Sequence, residues 1–204
     1  MSEHYYSRNP SVESKPQRWE STLRGSKLTF TTDSGVFSKG DVDFGSRLLL
    51  DSFSLPDVDG RLLDVGCGYG PIGITLAKEF PIRTIDMVDV NERALTLSKE
   101  NAMVNLVSNV EVFYSNALQN VTHINYAAIL TNPPIRAGKK VVHEILEESF
   151  KHLAPNGDLW IVIQKKQGAP SAIEKLLTLT PLVETISRSK GYFIIRAKKS
   201  RRIT

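Results

Sequence analysis

A glycine-rich turn is the segment of this chain best suited to bring a ligand close to the backbone. Residues 64–73 read DVGCGYGPIG, and the glycines at alternate positions are Gly66, Gly68 and Gly70. Glycine permits a tight turn and leaves room for a ligand beside the main chain. Pro71 stands where the dinucleotide-binding fingerprint needs its third glycine, so this motif is a different one. The preceding Asp64 suits a ligand that carries a cationic amino acid group.

Two further positions, each at the end of a predicted strand, extend this site. Asp89 follows the glycine turn at about the distance expected of a ribose-binding acid, whose carboxylate accepts hydrogen bonds from both ribose hydroxyls. Asn116 and Ala117 follow the next strand, where an adenine would lie, and the Asn116 amide can pair with an adenine edge. Together these residues predict a site for S-adenosylmethionine. The alternatives are that the glycines only form a turn and that Asn116 is an ordinary turn residue.

A proline-rich loop is the second candidate for chemistry. Asn132, Pro133, Pro134 and Ile135 follow a predicted strand at residues 127–131. Two prolines remove two backbone N–H donors, and the residue before a proline is held extended. The Asn132 side-chain oxygen and the Pro133 carbonyl therefore form a stiff acceptor pair. Such a pair suits an exocyclic amino group, because it holds the nitrogen lone pair toward a methyl donor; the alternative is a stiff turn without chemistry.

Basic residues follow this loop and the strand predicted at residues 159–163. Both sets should lie at one edge of the sheet, where they can contact RNA phosphates. Lysines at a helix N-terminus oppose the helix dipole, which favours a functional reason over the alternative of a solvated surface. The net charge of +4 permits a polyanionic partner without requiring one. The candidates are Arg136, Lys139, Lys140, Lys165 and Lys166.

The order of strands and helices places both motifs beside one sheet. Strands are predicted at residues 28–32, 61–66, 83–89, 110–114, 127–131 and 159–163, and a closing hairpin at 183–187 and 192–197. Helices are predicted at residues 43–53, 70–80, 91–105, 138–153 and 169–179. This alternation predicts an α/β, Rossmann-like fold: a mostly parallel seven-stranded sheet, helices on both faces, and an antiparallel hairpin at the C-terminal end. Ligands bind beyond the carboxyl ends of such strands.

Length and composition limit the remaining possibilities. The 204 residues, 41% hydrophobic and 24% charged, suit one globular domain. We expect an irregular extension over residues 1–25 and the domain over residues 26–204. Without an apolar signal core or a run of about 18 apolar residues, we expect a cytoplasmic monomer rather than a membrane protein. A single cysteine, Cys67, excludes an internal disulfide or a cysteine-based zinc site, and we expect it to fill space in the core. For His143 we expect a structural role rather than a catalytic one.

With both motifs in place, the chain resembles the methyltransferase small domain family over roughly residues 20–197. The resemblance implies a class I S-adenosylmethionine-dependent methyltransferase that acts on guanine N2 of ribosomal RNA, with the small-subunit 16S RNA favoured. It also implies that Phe37 covers the cofactor, while Asp43 and Gly45 shape its pocket. The segments that carry the resemblance are residues 35–40, 43–46, 64–73, 132–139, 159–160 and 164–168, with Asp89.

Two departures from the family pattern keep other acceptors open. Ile135 stands where the well-studied guanine-N2 enzymes often carry an aromatic residue that stacks on the base. The sequence also holds one copy of a domain that those enzymes often carry in tandem. The alternatives are adenine N6, a protein glutamine amide, a small molecule, or a catalytically silent module that binds the cofactor or RNA. Intact motifs argue against the silent module, and adenine enzymes usually place Tyr or Phe at the position of Ile135.

Overall fold

A computed structural model of the chain describes residues 8, 10, 12–38 and 40–200. The strands are β1 (Gln17–Leu23), β2 (Ser26–Thr32), β3 (Leu62–Val65), β4 (Ile85–Asp89), β5 (Val110–Tyr114), β6 (Tyr126–Thr131), β7 (Leu153–Gln164), β8 (Val183–Ser189) and β9 (Tyr192–Lys198). The helices are α1 (Phe44–Ser52), α2 (Pro71–Glu79), α3 (Glu92–Val104), α4 (Lys139–His152) and α5 (Ala169–Leu177). Among the helices of these ranges, none has the length and apolar character that a bilayer crossing requires.

Seven of the strands form one sheet in the order β5-β4-β3-β6-β7-β9-β8. The pairs from β5 to β7 are parallel, and β9 runs antiparallel to both β7 and β8. The predicted mostly parallel seven-stranded sheet with a C-terminal antiparallel hairpin is confirmed. From β3 the chain continues to β4 and β5 on one side of the sheet. It then returns to β6, which pairs with the opposite edge of β3. A crevice opens at such a switch point, beyond the carboxyl ends of the strands.

The sheet is buried on both faces, which is why its strands could be recognised as apolar runs. Alternate side chains point to opposite faces: Leu62 joins one apolar cluster and Leu63 the other. α1, α2 and α3 cover the first face, and α4 and α5 cover the second. Leu49 and Leu50 of α1 are fully buried. Burial of one such side chain contributes about 1.5–3 kcal/mol to stability. Packing of the helices on both faces therefore stabilises the sheet.

β1 and β2 form a separate antiparallel hairpin. The expectation that residues 1–25 are irregular is wrong for residues 17–23, which form β1; residues 1–7 lie outside the described residues. Alternate residues of β1, including Trp19 and Leu23, face inward, and the intervening polar residues face solvent. The signal was weak because Ser21 occupies one inward position. Arg24 and Gly25 join the strands with positive φ angles of 45° and 78°.

Asn101 of α3 and Asn105, which caps the C-terminal end of α3, bind the outer edge of β2. Asn101 accepts from the Thr31 N–H at 2.7 Å and donates to the Thr31 carbonyl at 2.9 Å. Asn105 makes the same two bonds with Thr29, at 2.9 Å and 2.7 Å. Both asparagines are buried. The hairpin is therefore joined to α3 through its main chain as well as through its apolar face.

β7 begins earlier than predicted. Residues 155–157, expected as a turn after the preceding helix, lie inside this strand. The pairing register with β6 shifts between Tyr126 and Ala128, which accommodates Pro155 at an irregularity of the ladder. A Cβ on Gly157 would lie 2.9 Å from the carbonyl oxygens of Tyr126 and Ala127, so only glycine fits there.

Candidate active site

A cleft opens at the carboxyl ends of β3, β4, β5 and β6. The sequence-predicted residues that line it are Phe37, Asp43, Gly66, Gly68, Asp89, Ala117, Asn132, Pro133 and Pro134. The predicted residues that lie outside its wall are Gly45, Asp64, Gly70, Asn116 and Ile135. Both predicted motifs thus border one cavity.

The glycines of the turn have two different roles. Gly66 and Gly68 have φ angles of 76° and 57°, and a Cβ on either would meet no heavy atom within 4 Å. Glycine is favoured there by the left-handed backbone, and the space beside it belongs to the cleft. Gly70, with φ 99°, is different, because a Cβ would lie 2.7 Å from Ile74 Cδ1 and 2.9 Å from Met87 Cε. Gly70 therefore permits close packing of α2 on the sheet.

Asp64 lies behind the glycine turn and is fully buried. Its Oδ2 accepts a hydrogen bond from the Gly73 N–H at 2.9 Å, which ties α2 to the end of β3. Its Oδ1 has no hydrogen-bond partner in the described part of the chain. Burial raises the pKa of this carboxyl to about 7, the Gly73 bond opposes the rise, and the charge of Asp89 adds to it. A buried acid with a free oxygen creates a demand for positive charge beside the turn.

Asp89 ends β4 and lines the cleft. Its Oδ2 accepts from the Gly68 N–H at 2.8 Å, and its Oδ1 accepts from the Asn91 N–H at 2.9 Å. Burial raises the pKa of Asp89, while the bonds from Asn91 and Gly68 lower it. Each carboxylate oxygen can accept a second hydrogen bond. Asp89 therefore holds the glycine turn in place and still has acceptor capacity toward the cleft.

Asn91 lines the cleft and was expected only to cap α3. Its Oδ1 does accept from the Arg93 and Ala94 N–H groups, at 3.0 Å and 3.2 Å. Its Nδ2 also donates to the Gly35 carbonyl at 2.9 Å. That bond ties the segment that carries Phe37, whose ring is 42% exposed at the cleft, to the start of α3. No local pattern signals a partner 56 residues away.

The side chain of Asn132 is oriented by the start of α1. Its Nδ2 donates to Ser46 Oγ at 3.0 Å and lies 3.3 Å from Asp43 Oδ1. Asp43 caps α1 by accepting from the N–H groups of Gly45 and Ser46, at 2.9 Å and 3.1 Å. A carboxylate only accepts hydrogen bonds, so the amide nitrogen must face it and the Asn132 oxygen must face away. Asp43 and Ser46 thereby bind the Asn132 nitrogen, which leaves the Asn132 oxygen as the acceptor on the side that faces away from α1.

Three of the predicted residues lie outside the wall of the cleft. Ile135 begins a short 3₁₀ turn and packs against the second apolar cluster. Gly45 makes room for Tyr192, because a Cβ there would lie 2.9 Å from Tyr192 Cε1. Asn116 stands outside the wall, while its neighbours Ser115 and Ala117 line it.

Cys67 lines the cleft as a buried thiol. Its Sγ lies 3.7 Å from Ser98 Oγ. Burial raises the pKa of the thiol well above its usual value, and the charges of Asp89 and Asp64 raise it further. A neutral thiol is a poor nucleophile, so its contribution is packing.

The predicted basic residues are all exposed and lie around the carboxyl ends of β6 and β7. Lys140 lies 3.9 Å from Glu144, and the Lys165 N–H donates to the Gly191 carbonyl at 2.8 Å. His143 lies behind them, with Nε2 3.0 Å from Ser171 Oγ. Burial lowers the pKa of His143, the charges of Lys139 and Lys175 lower it further, and the hydrogen bond with Ser171 opposes the shift. The contact with Ser171 joins α4 to α5.

Comparison with known proteins places the chain among methyltransferases. The model of the methyltransferase small domain family matches residues 27–196. The "Uncharacterized protein YbxB" of Bacillus subtilis is 62% identical over 200 residues, which cover 98% of this chain and 100% of that protein. The ribosomal RNA small subunit methyltransferase C of Vibrio cholerae is 35% identical over 180 residues, which cover 86% of this chain and 51% of that protein. The chain thus spans about half the length of that relative.

A solved structure shares the fold. The T. thermophilus 16S rRNA N2 G1207 methyltransferase, solved in complex with AdoMet and guanosine, aligns with a TM-score of 0.81 at 24% identity. The alignment covers 93% of this chain and 52% of the other. The fold shared with that enzyme extends over nearly the whole of this chain.

Proposed function

The chain belongs to the methyltransferase small domain family, and we propose that it transfers a methyl group from S-adenosylmethionine to the exocyclic amino group of a base in ribosomal RNA. Guanine N2 of the 16S RNA is the proposed target. The observation that carries this proposal is the orientation of Asn132. Its amide nitrogen is held by Asp43 and Ser46, so its oxygen is offered as an acceptor beside the glycine turn.

The cleft fits S-adenosylmethionine in shape and in charge. Asp89 has acceptor capacity for the ribose hydroxyls, and the wall at Ser115 and Ala117 is the proposed adenine side. The open space beside Gly66 and Gly68 admits the methionine part, and the unpartnered oxygen of Asp64 favours its positive charge from behind the turn. When bound, S-adenosylmethionine supplies a methyl group on a sulfonium that an amine can attack.

The proposed work of the chain is to hold the amino group. The Asn132 oxygen and the Pro133 carbonyl accept hydrogen bonds from its two protons, which directs the nitrogen lone pair toward the methyl carbon. As the nitrogen–carbon bond forms and the carbon–sulfur bond breaks, the same oxygens stabilise the positive charge on the nitrogen. One amino proton then leaves to water, and no strong base in the chain is needed.

Ribosomal RNA is the proposed substrate on two grounds. The 35% identical relative is a ribosomal RNA methyltransferase, and five exposed basic residues, which we call the basic rim, follow the carboxyl ends of β6 and β7. A basic rim suits a phosphate backbone better than a protein glutamine or a small molecule. This substrate implies that the protein acts in the cytoplasm, where ribosomes are assembled.

Methyl transfer to defined substrates tests the proposal. Tritiated S-adenosylmethionine is incubated with free 16S RNA and with small subunits from a strain that lacks the gene, and the product is digested to nucleosides. We expect label in N2-methylguanosine, and label that accumulates about 10²–10³-fold more slowly with the Asn132→Ala protein. Label in N6-methyladenosine would show that the target base is adenine and not guanine. Absence of label from both substrates would overturn ribosomal RNA as the acceptor.

A further inference from the structure

Three side chains at the start of α1 and in the hairpin of β8 and β9 take no part in the mechanism above. The rings of Phe44 and Tyr192 lie 5.5 Å apart at 52°, and Lys190 Nζ lies 4.6 Å from the centroid of the Phe44 ring. Both rings are partly exposed, and Lys190 is exposed. We call these three residues the aromatic cluster. It places two aromatic surfaces and one positive charge together at the start of α1, next to Asp43, which lines the cleft.

The aromatic cluster is joined directly to the residues that orient Asn132. Phe44 follows Asp43, the cap of α1 that receives the Asn132 amide. Tyr192 packs on the backbone of Gly45, where a Cβ would lie 2.9 Å from Tyr192 Cε1. An RNA strand whose base reaches Asn132 therefore passes beside the rings of Phe44 and Tyr192.

The backbone presents Lys190 from a rigid turn. Ser189 pairs with Tyr192, so Lys190 and Gly191 form a two-residue hairpin loop with positive φ angles of 47° and 80°. Loops of this kind prefer asparagine followed by glycine, and lysine is an unusual first residue. The Gly191 carbonyl accepts from the Lys165 N–H at 2.8 Å, which fixes the loop against the basic rim.

The cluster also supplies what the catalytic loop lacks. The side chain after the two prolines, Ile135, is partly buried against the second apolar cluster and offers no ring to a base. Unpaired bases are commonly held by stacking on aromatic side chains, while a nearby cation meets the phosphate. Phe44 and Tyr192 are the aromatic pair beside the Asn132 loop.

We propose that the aromatic cluster binds the RNA strand beside the target nucleotide, with a base stacked on Phe44 and Tyr192 and with Lys190 on a phosphate. This inference rests on the proposed RNA substrate. Lys190 lies over the Phe44 ring. A base that stacks on this ring therefore displaces the Lys190 ammonium toward the RNA backbone. Stacking tolerates any base, and the cluster therefore contributes affinity and position rather than sequence recognition.

Paired variants test the inference with an unmodified 16S RNA transcript as the probe. Phe44→Leu should weaken RNA binding about tenfold, and Phe44→Tyr, which keeps a ring, should retain it. Lys190→Gln should lower the salt dependence of binding by about one unit of slope. Lys99→Gln removes the same charge from an exposed site on α3 and should change nothing. Thermal melting and the affinity for S-adenosylmethionine should stay at wild-type values in all four.

Photocrosslinking of the wild-type protein gives a second measurement that does not depend on variants. Ultraviolet irradiation of the complex with the transcript should attach nucleotides to peptides that contain Phe44 or Tyr192. Wild-type RNA affinity in both Phe44→Leu and Lys190→Gln, with crosslinks only elsewhere, would overturn the inference while methyl transfer by the wild type continues. A wild-type protein that neither binds nor methylates the transcript would instead overturn the proposed function.

Discussion

The glycine turn of residues 64–73 and the Asn132 loop border the same cleft, but different kinds of contact hold them. The turn is one continuous segment, and buried carboxylates fix it through backbone N–H groups at Gly68 and Gly73. The Asn132 side chain depends on side chains of α1 that precede it by 86 and 89 residues. We call these the glycine side and the asparagine side.

The comparison teaches which kind of site a sequence reveals. Backbone conformations that need glycine leave a local pattern, and the glycine side was recognisable from one decapeptide. Side-chain contacts between distant segments leave no local pattern, so the asparagine side was recognisable only in its loop. The two sides should also fail independently, and this independence can be tested.

The largest effect is expected from Asn132→Ala. Loss of one preorganised acceptor should lower the single-turnover rate of methyl transfer about 10²–10³-fold. The affinity for S-adenosylmethionine, measured by calorimetry, should not change, because the glycine side keeps its own contacts. Near-normal turnover would remove Asn132 from the chemistry, and a parallel loss of cofactor affinity would show that the two sides are not independent.

A swap of partners sharpens the same test. Asn132→Asp keeps an oxygen acceptor but sets a second carboxylate against Asp43, so it should be as slow as Asn132→Ala. Asp43→Asn restores a donor toward that carboxylate and remains a good helix cap. The double variant should therefore recover part of the rate. A double variant no faster than Asn132→Asp alone would contradict the assigned orientation of the amide.

The next effect lies on the glycine side, at Asp89. Asp89→Ala should weaken S-adenosylmethionine binding by about 2 kcal/mol, roughly 30-fold, through lost charged hydrogen bonds. Asp89→Asn is the matched control, since its oxygen can still accept from a backbone N–H and its loss of affinity should be smaller. RNA affinity should stay unchanged in both. Wild-type cofactor affinity in a folded Asp89→Ala protein would exclude Asp89 from the site.

A pH-dependent effect is expected from Asp64. Its pKa is raised from 3.8 to about 7 in the folded chain, so the unfolded chain releases the proton first as the pH rises. The free energy of unfolding of the wild type should therefore fall relative to Asp64→Asn by up to about 1.4 kcal/mol for each pH unit between about 4 and 7. Urea denaturation at pH 5, 6 and 7 measures this. A constant difference would show that Asp64 is already ionised at pH 5.

The smallest effect is expected from the basic rim. Lys139→Gln combined with Lys165→Gln should weaken RNA binding several-fold and reduce its salt slope by about 0.7–0.9 for each charge removed. Cofactor affinity should remain at the wild-type value. If the salt slope does not move, the phosphates meet another surface of the protein.

Most of the fold was predictable because its sheet is buried on both faces. Mostly apolar runs such as Leu62–Val65 and Tyr126–Thr131, which are fully buried in the structure, are strong signals of central strands. β1 was missed because Ser21 interrupts its inward face. The early start of β7 was missed because Pro155 is a strong turn signal in sequence and is tolerated here only by a shift of register.

The site was predictable in part. The positions of Gly66, Gly68 and Asp89 follow from strand ends, and these residues do line the cleft, whereas Gly70 lies outside its wall. Ile135, by contrast, was assigned by adjacency to its motif and lies outside the wall of the cleft, partly buried against the second apolar cluster. The roles of Asn91 and Ser46 were missed, because each acts through a partner more than 50 residues away in the chain. Adjacency in sequence predicts which loop lines a site better than which side chain faces it.

The two asparagines at the C-terminal end of α3 that bind β2 have a consequence for association between chains. An outer strand edge offers its free N–H and C=O groups to any extended segment that approaches, and this is a route to aggregation. Asn101 and Asn105 occupy those groups at Thr29 and Thr31 with amides of the same hydrogen-bonding pattern as a neighbouring strand. α3 therefore takes the place of a third strand that cannot be extended, and the hairpin is closed to edge-to-edge growth along that stretch by two side chains of a helix.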